Sequence, residues 1–137
     1  MRLEPWLRWL VYATVGVLFM SGLAWWWLEA GAGARVWLIA LHGFSAMLLL
    51  LLLGAVAVLH VRESWRRRRN RTSGTVVAIA MGLLVITACG LYYFGSDVLR
   101  SWTSGLHLLV GVALPVLLAV HIVAGVRSRP NLDDEDW

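Results

Sequence analysis

Four long apolar runs dictate how this chain folds. Leu7–Leu28, Val36–Val61, Thr75–Phe94 and Leu106–Val126 are each about 20 to 26 residues long, enough to cross a hydrocarbon core of roughly 30 Å as helices rising 1.5 Å per residue. The connections between them are short, so no length remains for a soluble domain. The expected fold is all-α, an integral membrane four-helix bundle over residues 1–137 with an acidic tail at 130–137. A hydrophobic content of 60% and a mean hydropathy of +0.73 exclude a soluble domain of this size. The start Met1–Arg8 is positive, like a signal peptide. The first run is nevertheless long, ends in Trp25, Trp26, Trp27 and Glu29, and has no convincing small-residue cleavage site, so it reads as a retained span.

Arginine sets the expected orientation, because the chain has no lysine. Arg2, Arg8, Arg62, Arg66, Arg67, Arg68, Arg69, Arg71, Arg127 and Arg129 fall on one side of the four runs, and only Arg35 and Arg100 on the other. Ten against two predicts cytoplasmic termini and a cytoplasmic Arg66–Arg71 loop. The net charge of +4 is thereby read as a topology signal suited to anionic lipid headgroups, not to nucleic acid. Trp25, Trp26, Trp27, Trp37 and Trp102 mark the outer interface, and Trp6, Trp9 and Trp65 the inner one. Trp137 closes the Asp133–Asp136 tail, which reads as solvated. Cys89 is the only cysteine, and no C-x-x-C-H occurs, which excludes an intrachain disulfide and a covalently attached c-type haem. Cys89 is expected to be a small buried residue of the third helix.

The four histidines fall as two pairs, His42 and His60 on the second run, His107 and His121 on the fourth. Their separations are 18 and 14 residues, and at about 100° per residue a helix returns both members of each pair to nearly one face. With a cytoplasmic N-terminus the second and fourth helices run parallel. His42 is then level with His107 near the outer surface, and His60 with His121 near the cytoplasm. If these helices stand diagonally, each level offers two imidazoles to one iron, and the chain two bis-histidine haem sites. Small residues such as Ser45, Ala46, Ala57, Gly111 and Gly125 lie near the histidines, as a flat macrocycle between helices requires, although such residues also serve ordinary helix contacts. A histidine near a helix end is often only an interhelical hydrogen-bonding residue. Four of four at matched depths are harder to obtain that way, since polar groups in a bilayer are costly.

The two spacings do not match. Helical rise gives about 27 Å from His42 to His60 but about 21 Å from His107 to His121. Tilt alone would need close to about 40°. Inclined haem planes, a kink at Pro115 or a bulge in the second helix must supply part of the difference.

These residues resemble a known family. The segment His107-Leu-Leu-Val-Gly-Val-Ala-Leu-Pro-Val-Leu-Leu-Ala-Val-His121 is similar to the ligand helices of respiratory cytochromes b, and the whole membrane region resembles a bacterial transmembrane di-haem cytochrome b. The first helix, from Arg8-Trp9-Leu10 to Ser21-Gly22-Leu23-Ala24-Trp25, is similar to the opening helix of cytochrome b anchors in bacterial dehydrogenases and hydrogenases. It departs from them in carrying no histidine, and the second helix has seventeen residues between its histidines instead of about thirteen. The resemblance implies two haem b groups, a possible quinone site and a place in the bacterial cytoplasmic (inner) membrane.

Bis-histidine iron has no open position, so its chemistry is one-electron transfer. The leading expectation is a wire between the quinone pool and a periplasmic cytochrome or metal-centre subunit, with substrate chemistry left to another chain. Whether the chain is an enzyme stays open. The alternatives are a stand-alone quinone-linked oxidoreductase for superoxide or a ferric chelate, and a haemless anchor or assembly factor with packing or copper-binding histidines. Haem propionates are expected near Arg100, Arg35, Trp102 and Ser104 outside, and near Arg62, Arg71 or Arg127 inside. Ser104, three residues before His107, is also a candidate partner for the non-ligating nitrogen of that ring, or a terminal helix residue. Tyr92 and Tyr93 are placed as belt residues or quinone donors.

Overall fold

A computed structural model describes residues 4–27, 31–66 and 70–128, and for Ala32, Leu59, His60, Glu63 and Ser64 the backbone alone. Arg67, Arg68, Arg69, the acidic tail with Trp137, and the His60 imidazole lie outside the described residues. The described chain is all helix. The elements are α1 (Pro5–Trp27), α2 (Ala32–Val56), a π turn (Ala57–Val61), α3 (Arg62–Arg66), α4 (Arg71–Tyr93) and α5 (Asp97–Arg127). Four of them, α1, α2, α4 and α5, are long and apolar enough to cross a membrane. The chain is a multi-pass membrane protein built as a four-helix bundle.

The helix ends follow from local chemistry. Pro5 opens α1, where its missing N–H is one of those left without an intrahelical partner. Ser96 caps α5 by accepting from the Leu99 N–H at 3.5 Å, and Asp97 in the first turn opposes the positive end of the helix dipole. Asn70, directly before α4, has φ 49° and ψ 34°, and it is the one non-glycine described residue at positive φ. Pro115 lies inside α5 without ending it.

The helices pair as hairpins, α1 along α2 and α4 along α5, and the hairpins meet chiefly through α1 and α5. That arrangement sets α2 and α5, the two histidine helices, diagonally across the bundle. At mid-height Val15, Leu49, Ala80 and Leu114, one from each spanning helix, form a buried layer, with Leu18, Leu53, Leu84 and Val110 among the residues packed on it. The histidine levels lie beyond this layer on both sides. One end is rich in tryptophan, with exposed Trp25, Trp26, Trp27, Trp37 and Trp102, while Trp6, Trp9 and Trp65 are exposed toward the opposite, arginine-rich end. Cys89 is exposed on α4, which corrects the expectation of a buried cysteine. Its neighbours Thr87 and Gly90 face the interior instead.

The second helix is irregular where its long histidine spacing requires it. After Val56 the backbone widens into the π turn, closed by the Arg62 N–H donating to the Ala57 carbonyl five residues back, and His60 lies within it. A π turn takes up about one extra residue. It therefore shortens the axial distance from His42 by only about 1.5 Å of a mismatch of about 6 Å, and it turns the chain beyond Val56 away from a straight helical face.

Candidate functional site

At the tryptophan-rich end, His42 on α2 and His107 on α5 approach across the bundle with ring centroids 6.2 Å apart and planes inclined by 67°. The two helices that carry them pack mainly against other helices, α2 against α1 and α5 against α4. The rings reach into the space between the hairpins.

Each ring is held from the other helix of its own hairpin. Ser21 Oγ on α1 lies 3.0 Å from His42 Nδ1, and Thr87 Oγ1 on α4 lies 2.8 Å from His107 Nδ1. Both hydroxyls are buried, 4% and 5% exposed. A hydroxyl has one proton, and each of these donates it to a carbonyl, Ser21 to Leu18 at 3.2 Å and Thr87 to Leu83 at 2.7 Å. The hydroxyl oxygens are then placed to accept from the imidazoles. The network thus assigns the proton of both rings to Nδ1 and leaves the Nε2 lone pair available.

At the arginine-rich end His121 is fixed by a closed ring of bonds. Ser73 Oγ lies 2.9 Å from His121 Nδ1. Ser73 in turn donates to Asn70 Oδ1, and Asn70 Nδ2 donates to the His121 carbonyl at 2.9 Å. The same amide nitrogen lies 3.3 Å from Nδ1, a contact beside the shorter Ser73 bond. With the Ser73 proton on an acceptor-only oxygen, the Ser73 oxygen is placed to accept from Nδ1 of His121. His42 and His107 share one tautomer in this network, the one that metal-binding histidines have when the other nitrogen donates to a fixed partner.

Room beside the rings comes from glycines on the partner helices. A Cβ at Gly22 would stand 3.4 Å from His42 Cε1, and one at Gly74 would stand 3.4 Å from His121 Cε1. Ser21-Gly22 and Ser73-Gly74 are the same device used twice, a hydroxyl that anchors Nδ1 followed by a residue with no side chain against the ring.

The 6.2 Å centroid separation is that of two imidazoles bound to one metal ion, with metal–nitrogen bonds of about 2.0 Å and ring atoms about 1.1 Å from the centroid. A planar macrocycle also needs a gap. The residues against the His42 and His121 rings on the neighbouring helices are the glycines Gly22 and Gly74, which leave space there. One buried side-chain atom among the described residues lacks a hydrogen-bond partner, Arg71 Nε at the arginine-rich end. The Arg71 guanidinium lies 5.0 Å over the Trp65 ring and donates to the Trp65 carbonyl, leaving Nε for an anion. No group of three or more histidine, cysteine or acidic residues that would make a protein-only metal cage occurs among the described residues.

The remaining sequence candidates are placed as follows. Arg35 stacks on Trp25, 5.6 Å from the ring centroid. Arg100 is exposed in the first turns of α5, with Trp102 exposed beside it. Tyr92 and Tyr93 are exposed at the end of α4. Ser104 is not the partner of His107, because Thr87 takes that position from across the hairpin. The sequence reading missed Ser21, Thr87, Ser73, Asn70, Gly22 and Gly74. Hydroxyl-glycine pairs one helix away from each histidine were the available signal. No family model, curated protein or solved structure matches this chain.

Proposed function

We propose that this protein is a di-haem b-type membrane cytochrome that passes electrons across the membrane between quinone or quinol and a periplasmic redox partner, as a subunit of a larger complex. The observation that carries this reading is the His42–His107 pair, two imidazoles on diagonal helices 6.2 Å apart, both with Nδ1 donating to a buried hydroxyl. Haem iron held by two such nitrogens exchanges single electrons and keeps no position for substrate. The chain supplies the ligands, fixes their tautomer and orientation, and excludes water with lipid-facing apolar helices. At the other level the ligands are His121, held by Ser73 and Asn70, and His60 from the π turn. Arg71 Nε suits a propionate there, and Arg35 and Arg100 suit those at the tryptophan-rich end. By the arginine distribution that end faces the periplasm of a bacterial inner membrane.

The test is a reduced-minus-oxidised spectrum of the purified protein with haem quantitation. Two haems per chain with low-spin b-type bands are expected. His42→Ala and His107→Ala should remove the same centre. A protein without haem, or two variants that lose different centres, refutes the assignment.

A further inference from the structure

The two hairpins are copies of one pattern. Arg35, Trp37, His42 and Arg62 recur as Arg100, Trp102, His107 and Arg127, each 65 residues later with no insertion between them. The mid-height layer obeys the same shift, since Val15 pairs with Ala80 and Leu49 with Leu114. The hold on the first two rings obeys it to within one residue, Ser21 on His42 and Thr87 on His107. Hairpins repeated in the same direction are related by an axis along the membrane normal, and equivalent residues stand at equal depth. His42 and His107 are such equivalents.

The second pair of histidines is not. Under the same shift His121 corresponds to Val56, and His60 corresponds to Gly125. Val56 is the last residue of α2, the π turn begins immediately after it, and His60 lies inside that turn. His60 is thus four residues past the depth of His121, about 6 Å along a helix. The position of Gly125, where His60 has its counterpart, is filled from the side by Asn70, whose amide nitrogen would stand 3.4 Å from a Cβ there. The second site has been built off the repeat.

We propose that the two haem sites are unlike by construction. The site at the tryptophan-rich end lies on the repeat axis with its ligands in register, and the other has ligands one turn out of register and holds its haem less firmly. This rests on the di-haem reading, and the experiment separates the two.

The oxidised protein is examined by electron paramagnetic resonance while haem is withdrawn by an excess of apomyoglobin. Two different low-spin signals are expected, with the one abolished by His121→Ala leaving first. In the double variant Val56→His, His60→Val, which restores the repeat with 14 residues between histidines in both helices, two haems of similar signal and similar retention are expected. Indistinguishable wild-type signals lost together overturn the register proposal and leave the di-haem reading intact. So does a double variant that keeps only the first haem. If the double variant loses both haems, the wild-type signals and their order of loss decide alone. A wild-type protein without haem overturns both readings.

Discussion

Thr87 Oγ1 lies 2.8 Å from His107 Nδ1, and its own proton is committed to the Leu83 carbonyl. Thr87→Val keeps the shape and removes one hydrogen-bond acceptor of the His107 ring, at a cost of about 0.5–1.5 kcal/mol. Removing a partner of this kind lowers metal affinity about 10- to 100-fold. One haem should be held more weakly and the other unchanged, and Thr87→Ser should restore the first. Haem content after dilution in detergent measures this, and equal retention in Thr87→Val and wild type would count against it.

Gly22 tests steric room instead of bonding. A methyl group at 3.4 Å from His42 Cε1 is ordinary contact, so Gly22→Ala should keep both haems. Gly22→Leu must displace the ring and should abolish the centre that His42→Ala abolishes. An unaffected leucine variant would show that the imidazole does not lie against α1.

Asn70 combines a left-handed backbone with three side-chain contacts to the His121 level. Asn70→Gly gives up the contacts but also removes the Cβ from that conformation, whereas Asn70→Ala gives up the contacts and keeps a Cβ there, at about 1–2 kcal/mol relative to glycine. Thermal unfolding in detergent should rank wild type above glycine and glycine above alanine. Both variants should weaken the second haem only, and equal unfolding temperatures for the two would remove the backbone contribution.

Leu114→Ala opens a cavity in the four-residue mid-height layer and should destabilise the bundle by about 2–5 kcal/mol. Because that layer touches both hairpins, each haem should be lost at a lower temperature than in wild type. A shift confined to one haem would show that the layer does not couple the levels.

Orientation is open to a direct measurement. Alkaline phosphatase fused after Arg127 should be inactive and the same reporter inserted after Gly95 should be active, as the ten-to-two arginine bias requires. The opposite pattern would reverse the two faces.

The spans and the shared face of each histidine pair were legible in the sequence because each follows from length or periodicity along one helix. Eighteen residues against 14 asked for inclined haem planes, a kink at Pro115 or a bulge in the second helix, and the second helix has a π turn at Ala57–Val61. The turn supplies about one residue of rise, so most of the mismatch is a true difference in depth. The anchors of the rings were not legible, because they depend on register between helices. Ser104 drew notice as a local neighbour of His107, whereas Thr87 reaches the ring from 20 residues away across a hairpin. The exposure of Cys89 has the same origin, since the face of α4 that turns inward is fixed by Ala80, Thr87 and Gly90.

The side chains of Val15, Leu49, Ala80 and Leu114 form a hydrocarbon slab, beside which the Thr14 hydroxyl is committed to the Leu10 carbonyl of its own helix. Such a slab is an insulator for ions and protons, which need a chain of polar groups or water to advance. Electrons tunnel through hydrocarbon over nanometre distances. A charge moved between the two levels would therefore travel unaccompanied, and the membrane voltage would act directly on its passage.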